Sequence, residues 1–219
     1  MATQTRLTYS NSRGFGEKIR LMLCLLEIPF ENVVMKKRSE FLKLCEDGVL
    51  LFNQTPFLEY NGLKLVQSHA TMRYLAGKHD MYGANLEERL RIDMFYDAIQ
   101  DFVIHFVNFQ FFISAEQSLK DGKVAADKYC PILEKELAAN KTGFLVGSTM
   151  SLADVAMIDV LLEVEEHYGE EYMKLYPNLK DFLSKIKEDK RIQDYLKNVR
   201  FPAFTPEMVQ EVKELFAIP

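Results

Sequence analysis

The chain has 219 residues, 48% of them hydrophobic, with 16 phenylalanines, no tryptophan, and 27 basic against 32 acidic side chains for a formal charge of −5. That length suffices for two packed domains with a substantial core, and the acidic balance argues against a general nucleic-acid binder. The charge is uneven: residues 1–80 carry 11 basic and 8 acidic groups (+3) and the remainder 16 and 24 (−8), a bias that suits an acidic ligand in the first part.

Up to about residue 80 the pattern alternates as β-α-β-α-β-β-α. Leu7-Thr8-Tyr9 reads as a strand, Gly16 to Leu26 as a helix, Phe30 to Val34 as a strand and Ser39 to Cys45 as a short helix. Asn61-Gly62 between two apolar runs predicts a hairpin, because both central positions of a type I′ turn need positive φ. Pro56 opens its first strand, where no ladder N–H is required and where a cis bond can kink the chain. Gln67-Ser68 closes the second strand and begins a helix through Ala70, Met72, Tyr74 and Leu75, so a hydroxyl and backbone N–H groups lie at a helix N-terminus, a seat for an anion.

After His79-Asp80-Met81-Tyr82-Gly83 every long segment has helical period, with the linker near 80–85. Residues 86–114 read as one amphipathic helix with Phe95, Ile99, Phe102, Phe106 and Phe109 on its apolar side and Arg89, Asp93, Asp97 and Asp101 along another face. Further helices are predicted over Val124–Ala139, Ser151–Tyr168, Leu179–Val199 and Pro206–Phe216. Ser151-Leu152-Ala153-Asp154 has the form of a capping box. Thr205-Pro206-Glu207 is a good helix start, followed by the stripe Met208, Val209, Val212, Leu215 and Phe216. The fold expected is therefore α+β: a mixed four-stranded sheet with helices over residues 1–80, then an all-α domain over 86–219.

The first residues lack the apolar core of a signal peptide, and Leu21–Leu26, the longest apolar run, is far too short to span a bilayer, which points to the cytoplasm. Three cysteines, with no CxxC spacing or histidine partner, indicate neither a disulfide frame nor a metal site, and Cys24 in its apolar run reads as a buried thiol.

In order and spacing, Tyr9-Ser10-Asn11-Ser12-Arg13-Gly14, Gln54-Thr55-Pro56, the hairpin, Gln67-Ser68, Asp101 and Ser151–Asp154 resemble a cytosolic glutathione transferase, most like the alpha class. The resemblance covers nearly the whole chain. It implies a thioredoxin-like glutathione-binding domain, an all-helical domain with a hydrophobic acceptor site, a homodimer, and glutathione as co-substrate without a metal. Tyr9 would be the catalytic hydroxyl, with Ser10 and Ser12 as rivals because related classes use serine.

By the same resemblance, glutathione would be held by Tyr9, Arg13, Lys43, Gln54, Thr55, Pro56, Gln67, Ser68, Asp101 and Lys128, the last two acting at the γ-glutamyl end across the dimer. Phe15 stands where the alpha class has a second arginine, and Cys45 where a basic residue grips the glycyl carboxylate, with Lys43 as its substitute. The acceptor would meet Ser10, Phe106, Val107, Phe111, Met208, Leu215 and Phe216, with the last helix as a mobile lid. Phe52 would insert between helices of a partner subunit, and His69 would meet Asp97 near the two-fold axis, a pairing that raises the imidazole pKa above about 6.5 and strengthens the dimer at low pH. The reaction implied is thiolate attack on a hydrophobic electrophile in xenobiotic detoxification, with peroxidase or isomerase side activities. The alternatives are a sigma-like prostaglandin isomerase and a non-catalytic carrier or structural relative.

Overall fold

The structure, a computed structural model, describes residues 4–107 and 111–218. Its elements in chain order are β1 (Thr5–Ser10), α1 (Gly14–Leu25), β2 (Phe30–Met35), α2 (Arg38–Glu46), β3 (Phe57–Tyr60), β4 (Leu63–Val66), α3 (Ser68–Lys78), α4 (Leu86–Val107), α5 (Ala115–Asn140), α6 (Leu152–Met173), α7 (Pro177–Glu188), α8 (Lys190–Asn198) and α9 (Pro206–Phe216). Contacts group them into two compact units, one of residues up to Tyr74 together with those from Asp194 onward, the other Leu75–Gln193.

In the first unit the sheet runs in the order β2-β1-β3-β4. β1 and β2 are parallel, with Tyr9 opposite Val34, while β1–β3 and β3–β4 are antiparallel. Tyr60 pairs with Leu63, which leaves Asn61 (φ 49°) and Gly62 (φ 79°) as a two-residue turn with both φ values positive. The sequence and the backbone agree here because the turn is decided by two adjacent residues. Leu7, Leu58, Leu21, Met22 and Leu23 are fully buried and form the sheet-and-helix core of this unit.

In the second unit α4 packs on α5 and α6, and α7 packs on both α5 and α6. Asp154 of the capping box is fully buried, with its carboxylate accepting from the backbone N–H groups of Leu145 and Ser151 and from the Ser151 hydroxyl, each at 2.8 Å. Burial pushes its pKa up to about 6 against those three donors.

Four predicted helices are corrected. The helix expected over 86–114 does not run to 114: α4 is Leu86–Val107, residues 112–114 are not helical, and Ser114 caps a new helix by accepting the Gln117 N–H, so α5 begins nine residues before the expected Val124. Phe109, placed on its apolar side, lies outside the described residues. The segment Leu179–Val199 is two helices: Asp189 is extended (ψ 126°), and its carboxylate accepts the Arg191 N–H to start α8. α6 continues past Tyr168 to Met173 with a break at Gly169 (φ 78°). Cys24 is half-buried rather than buried, with burial pushing its thiol up to about 11. Among the described residues no helix is long and apolar enough to cross a membrane.

Candidate active site

Tyr9 is the penultimate residue of β1 and is buried, with 8% of its surface exposed. Its phenolic oxygen accepts the backbone N–H of Phe15 at 3.1 Å, in the first turn of α1. A phenol that accepts an N–H keeps its own hydrogen to donate. Burial raises its pKa above the ordinary 10.0, while the Phe15 N–H, the Arg20 charge and Ser10 pull the other way, so at neutral pH Tyr9 is a protonated donor.

The ring reaches this position because α1 presents glycines to it. A Cβ at Gly14, where φ is +40°, would lie 2.4 Å from the Tyr9 oxygen, and one at Gly16 would lie 2.6 Å from ring carbon Cδ1. Glycine at both positions admits the aromatic against the helix backbone. Gly16→Ala should therefore cost roughly 1–3 kcal/mol of stability, as overpacking against a rigid ring does, and should lower turnover by displacing Tyr9. A urea midpoint indistinguishable from wild type would reject this reading of the contact.

Beneath Tyr9 lies a charged cluster with no forewarning in the sequence beyond charged residues on an apolar helix. Arg20, fully buried, donates through Nη1 to Glu17 (2.8 Å) and to the Ser12 carbonyl (3.0 Å), and through Nε to Asn32 (3.1 Å). Tyr195 donates to the other Glu17 oxygen at 2.6 Å, and the guanidinium lies 4.0 Å over the Phe201 ring. Burial raises the Glu17 pKa against the Arg20 charge. Such a pair holds α1 in place, because either partner alone would be an uncompensated buried charge.

The other candidates divide. Gln67 donates to Gln54 at 2.9 Å, which joins the loop before β3 to the start of α3. Gln67 takes a left-handed φ of 66°, Ser68 is buried at the N-terminus of α3, and the Thr55-Pro56 bond is cis. Arg13 is buried with its Nε on the Phe201 carbonyl at 2.7 Å. Lys43 is exposed and paired with Asp47 at 3.0 Å. It is two residues from Cys45 on α2, and residues so spaced do not share a helix face. Asp101 is exposed on α4, and exposed Lys128 on α5 lies over the Tyr129 ring at 4.4 Å.

Ser10 and Ser12 are both buried, with their hydroxyls hydrogen-bonded to each other at 2.8 Å. Phe106 is buried and stacked on His167 at 5.5 Å, Val107 is the last residue of α4, and Phe111 is half-buried ahead of α5. On α9 Leu215 is buried, while Met208 and Phe216 are half-buried. Phe52 is 58% exposed, beside Leu51 at 75%. His69 is half-buried with its ring edge-on to Phe15, and Asp97 is exposed on α4.

A four-stranded mixed sheet in this order, with a cis-proline before β3 and a helical continuation, is a thioredoxin-like α+β fold followed by an all-α part. The glutathione S-transferase N-terminal domain matches residues 5–77, and the glutathione S-transferase C-terminal domain matches residues 100–199. The chain belongs to the glutathione S-transferase family and is a transferase.

Among its relatives, "Glutathione S-transferase 3" of Gallus gallus is 36% identical over 200 residues, covering 90% of this chain and 86% of the relative. "Glutathione S-transferase alpha-4" of Rattus norvegicus is 35% identical over 201 residues, covering 90% and 89%. Among solved structures, the glutathione S-transferase of Ascaris lumbricoides superposes with a TM-score of 0.74 at 28% identity, covering 92% of this chain and 98% of that one.

Proposed function

We propose that this transferase joins the glutathione thiol to hydrophobic electrophiles through Tyr9, and that its setting is a cytosolic homodimer engaged in xenobiotic detoxification. The observation that carries this reading is the Tyr9 phenol, kept protonated by burial, with its oxygen accepting the Phe15 N–H. A thiol of ordinary pKa, about 8.5, is only a few per cent thiolate near pH 7. A hydroxyl donated to the sulfur stabilises the charged form, and about 1.4 kcal/mol lowers the thiol pKa by one unit, within reach of a single charge-assisted hydrogen bond. The thiolate then attacks the electrophilic carbon and the leaving group departs, with peroxidase or isomerase side activities using the same thiolate.

Residues 1–80 would hold glutathione, Gln54 and Thr55 along its cysteinyl unit and Gln67 and Ser68 at the γ-glutamyl carboxylate, helped by the α3 N-terminus. Residues 86–219 would supply most of the acceptor-binding side chains. Retention on immobilised glutathione followed by conjugation of a chloronitrobenzene tests this directly: a protein that neither binds the tripeptide nor forms the thioether is not this enzyme.

Support for the dimer comes from the surface. Leu86, Leu90 and Met94 form an apolar row on α4, 78%, 60% and 64% exposed, and Asp97 and Asp101 continue it at helical spacing. Phe52→Ser should weaken self-association by tenfold or more, about what losing one buried aromatic anchor costs. Sedimentation of dilute protein measures this, and an unchanged dimer constant removes Phe52 from the interface.

Deleting residues from Pro206 onward should leave glutathione binding intact and weaken bulky apolar acceptors. Loss of folding on truncation would instead make the α9 stripe ordinary core.

A further inference from the structure

α9 takes its place from α2 and from the turn after Tyr9. Arg38 Nη1 donates to the Leu215 carbonyl at 3.2 Å, Phe41 meets Phe216 edge-on with ring centroids 5.2 Å apart at 86°, and Asn11 donates to Glu211 at 3.3 Å. Arg38 is the first residue of α2, the positive end of that helix dipole, where a cation is poorly placed on its own account. Its position is explained by α9, whose last turn presents carbonyls without intrahelical partners and the negative end of its dipole. An 11-residue helix is too short to be stable alone in water, so α9 is helical to the extent that it is docked. α9 buries Val212 and Leu215, but the α2 side of the contact is thin. α2 buries none of its residues, and both rings of the Phe41–Phe216 pair are only half-buried.

We propose that Arg38 and Phe41 are positioning residues that seat α9, and that through it they set selectivity toward bulky apolar acceptors. Neither residue touches the reacting atoms; each acts by holding the helix that carries Met208, Leu215 and Phe216. The selectivity part rests on α9 forming a wall of the acceptor site, as proposed above. Because Val212 and Leu215 of α9 stay buried when either contact with α2 is removed, losing Arg38 or Phe41 should shift the docked population rather than unfold the unit.

Amide exchange on the full-length protein, read alongside steady-state kinetics, tests both parts. In Phe41→Ala and Arg38→Ala, exchange across Val209–Phe216 should quicken by about tenfold, the equivalent of losing one edge-to-face or charge-assisted contact, while exchange in β1 and the thermal midpoint stay as in wild type. KM for a bulky apolar electrophile should rise severalfold, with KM for glutathione and kcat on a small chloronitrobenzene unchanged. Phe41→Tyr, which keeps the ring edge, should restore wild-type values. Unchanged exchange in α9 overturns the seating role. Faster exchange with no change in acceptor KM overturns the selectivity role and points to the acceptor assignment of α9 as the fault.

Discussion

Asp154→Ala should lower the unfolding free energy by about 3–5 kcal/mol, a large share of what a folded domain has. The Leu145 and Ser151 N–H groups and the Ser151 hydroxyl all donate to this one fully buried carboxylate. Each buried donor stranded by its removal costs about 1–3 kcal/mol, more than the roughly 1 kcal/mol of an ordinary exposed cap. A urea titration that shows a loss below about 1 kcal/mol would mean that water or relaxation re-satisfies the donors.

The same carboxylate has a pH signature. Its folded pKa of about 6 lies above the ordinary 3.8, so between those values the folded state binds more protons than the unfolded chain. The contribution of Asp154 to stability therefore grows as pH falls from above 6 toward 4, and is lost as pH rises through 6. Other carboxylates with lowered pKa, Asp127 and Asp189 among them, act in the opposite direction, so the readout is the difference between wild type and Asp154→Asn. That difference should move in favour of wild type by roughly 2–3 kcal/mol on acidification from pH 7 to 4. A flat difference would mean that the hydrogen bonds outweigh burial and the carboxylate stays ionised.

Tyr9→Phe should keep the fold and glutathione affinity while reducing turnover by one to three orders of magnitude, roughly as the loss of one preorganised donor to a developing anion does. The ring still fills the space against Gly14 and Gly16, and only the hydroxyl that accepts the Phe15 N–H is lost. The pH–rate profile should shift as well, since the bound thiol then ionises closer to its value in water. Ser10 and Ser12 are the competing hydroxyls, and each already has the other as partner at 2.8 Å. Full turnover in Tyr9→Phe with loss in Ser10→Ala or Ser12→Ala would transfer the role to serine.

Features decided by neighbouring residues are legible in the chain by itself. The Asn61-Gly62 turn, the Ser151–Asp154 box and the start of α9 at Pro206 stand where expected, because positive φ, a cap hydrogen bond and a proline at the first helical position are settled within four residues. The alternation before residue 80 and the helical period after it sufficed for the α+β class, since side-chain period reports which face is buried. Helix ends fared worse. Asp189 caps α8 inside the stretch Leu179–Val199, where period alone reveals no interruption, and Ser114 starts α5 in the polar run before Val124, which carries no apolar period to mark it.

What only the tertiary structure decided are contacts between residues far apart in the chain. Glu17 meets Tyr195 across 178 positions, and Arg38 meets the Leu215 carbonyl across 177. Nothing in the local pattern distinguishes Arg38, which seats α9, from Lys43 on the same short helix, which reaches no farther than Asp47. The approach of Tyr9 to Gly14 and Gly16 is likewise a matter of backbone packing, visible in the sequence only as two glycines. Composition and period determine which elements form and which faces turn inward. Which charged side chain finds which distant partner depends on the register and packing of elements once folded, because burial makes an unpaired polar group costly and so selects among arrangements that the local sequence leaves open.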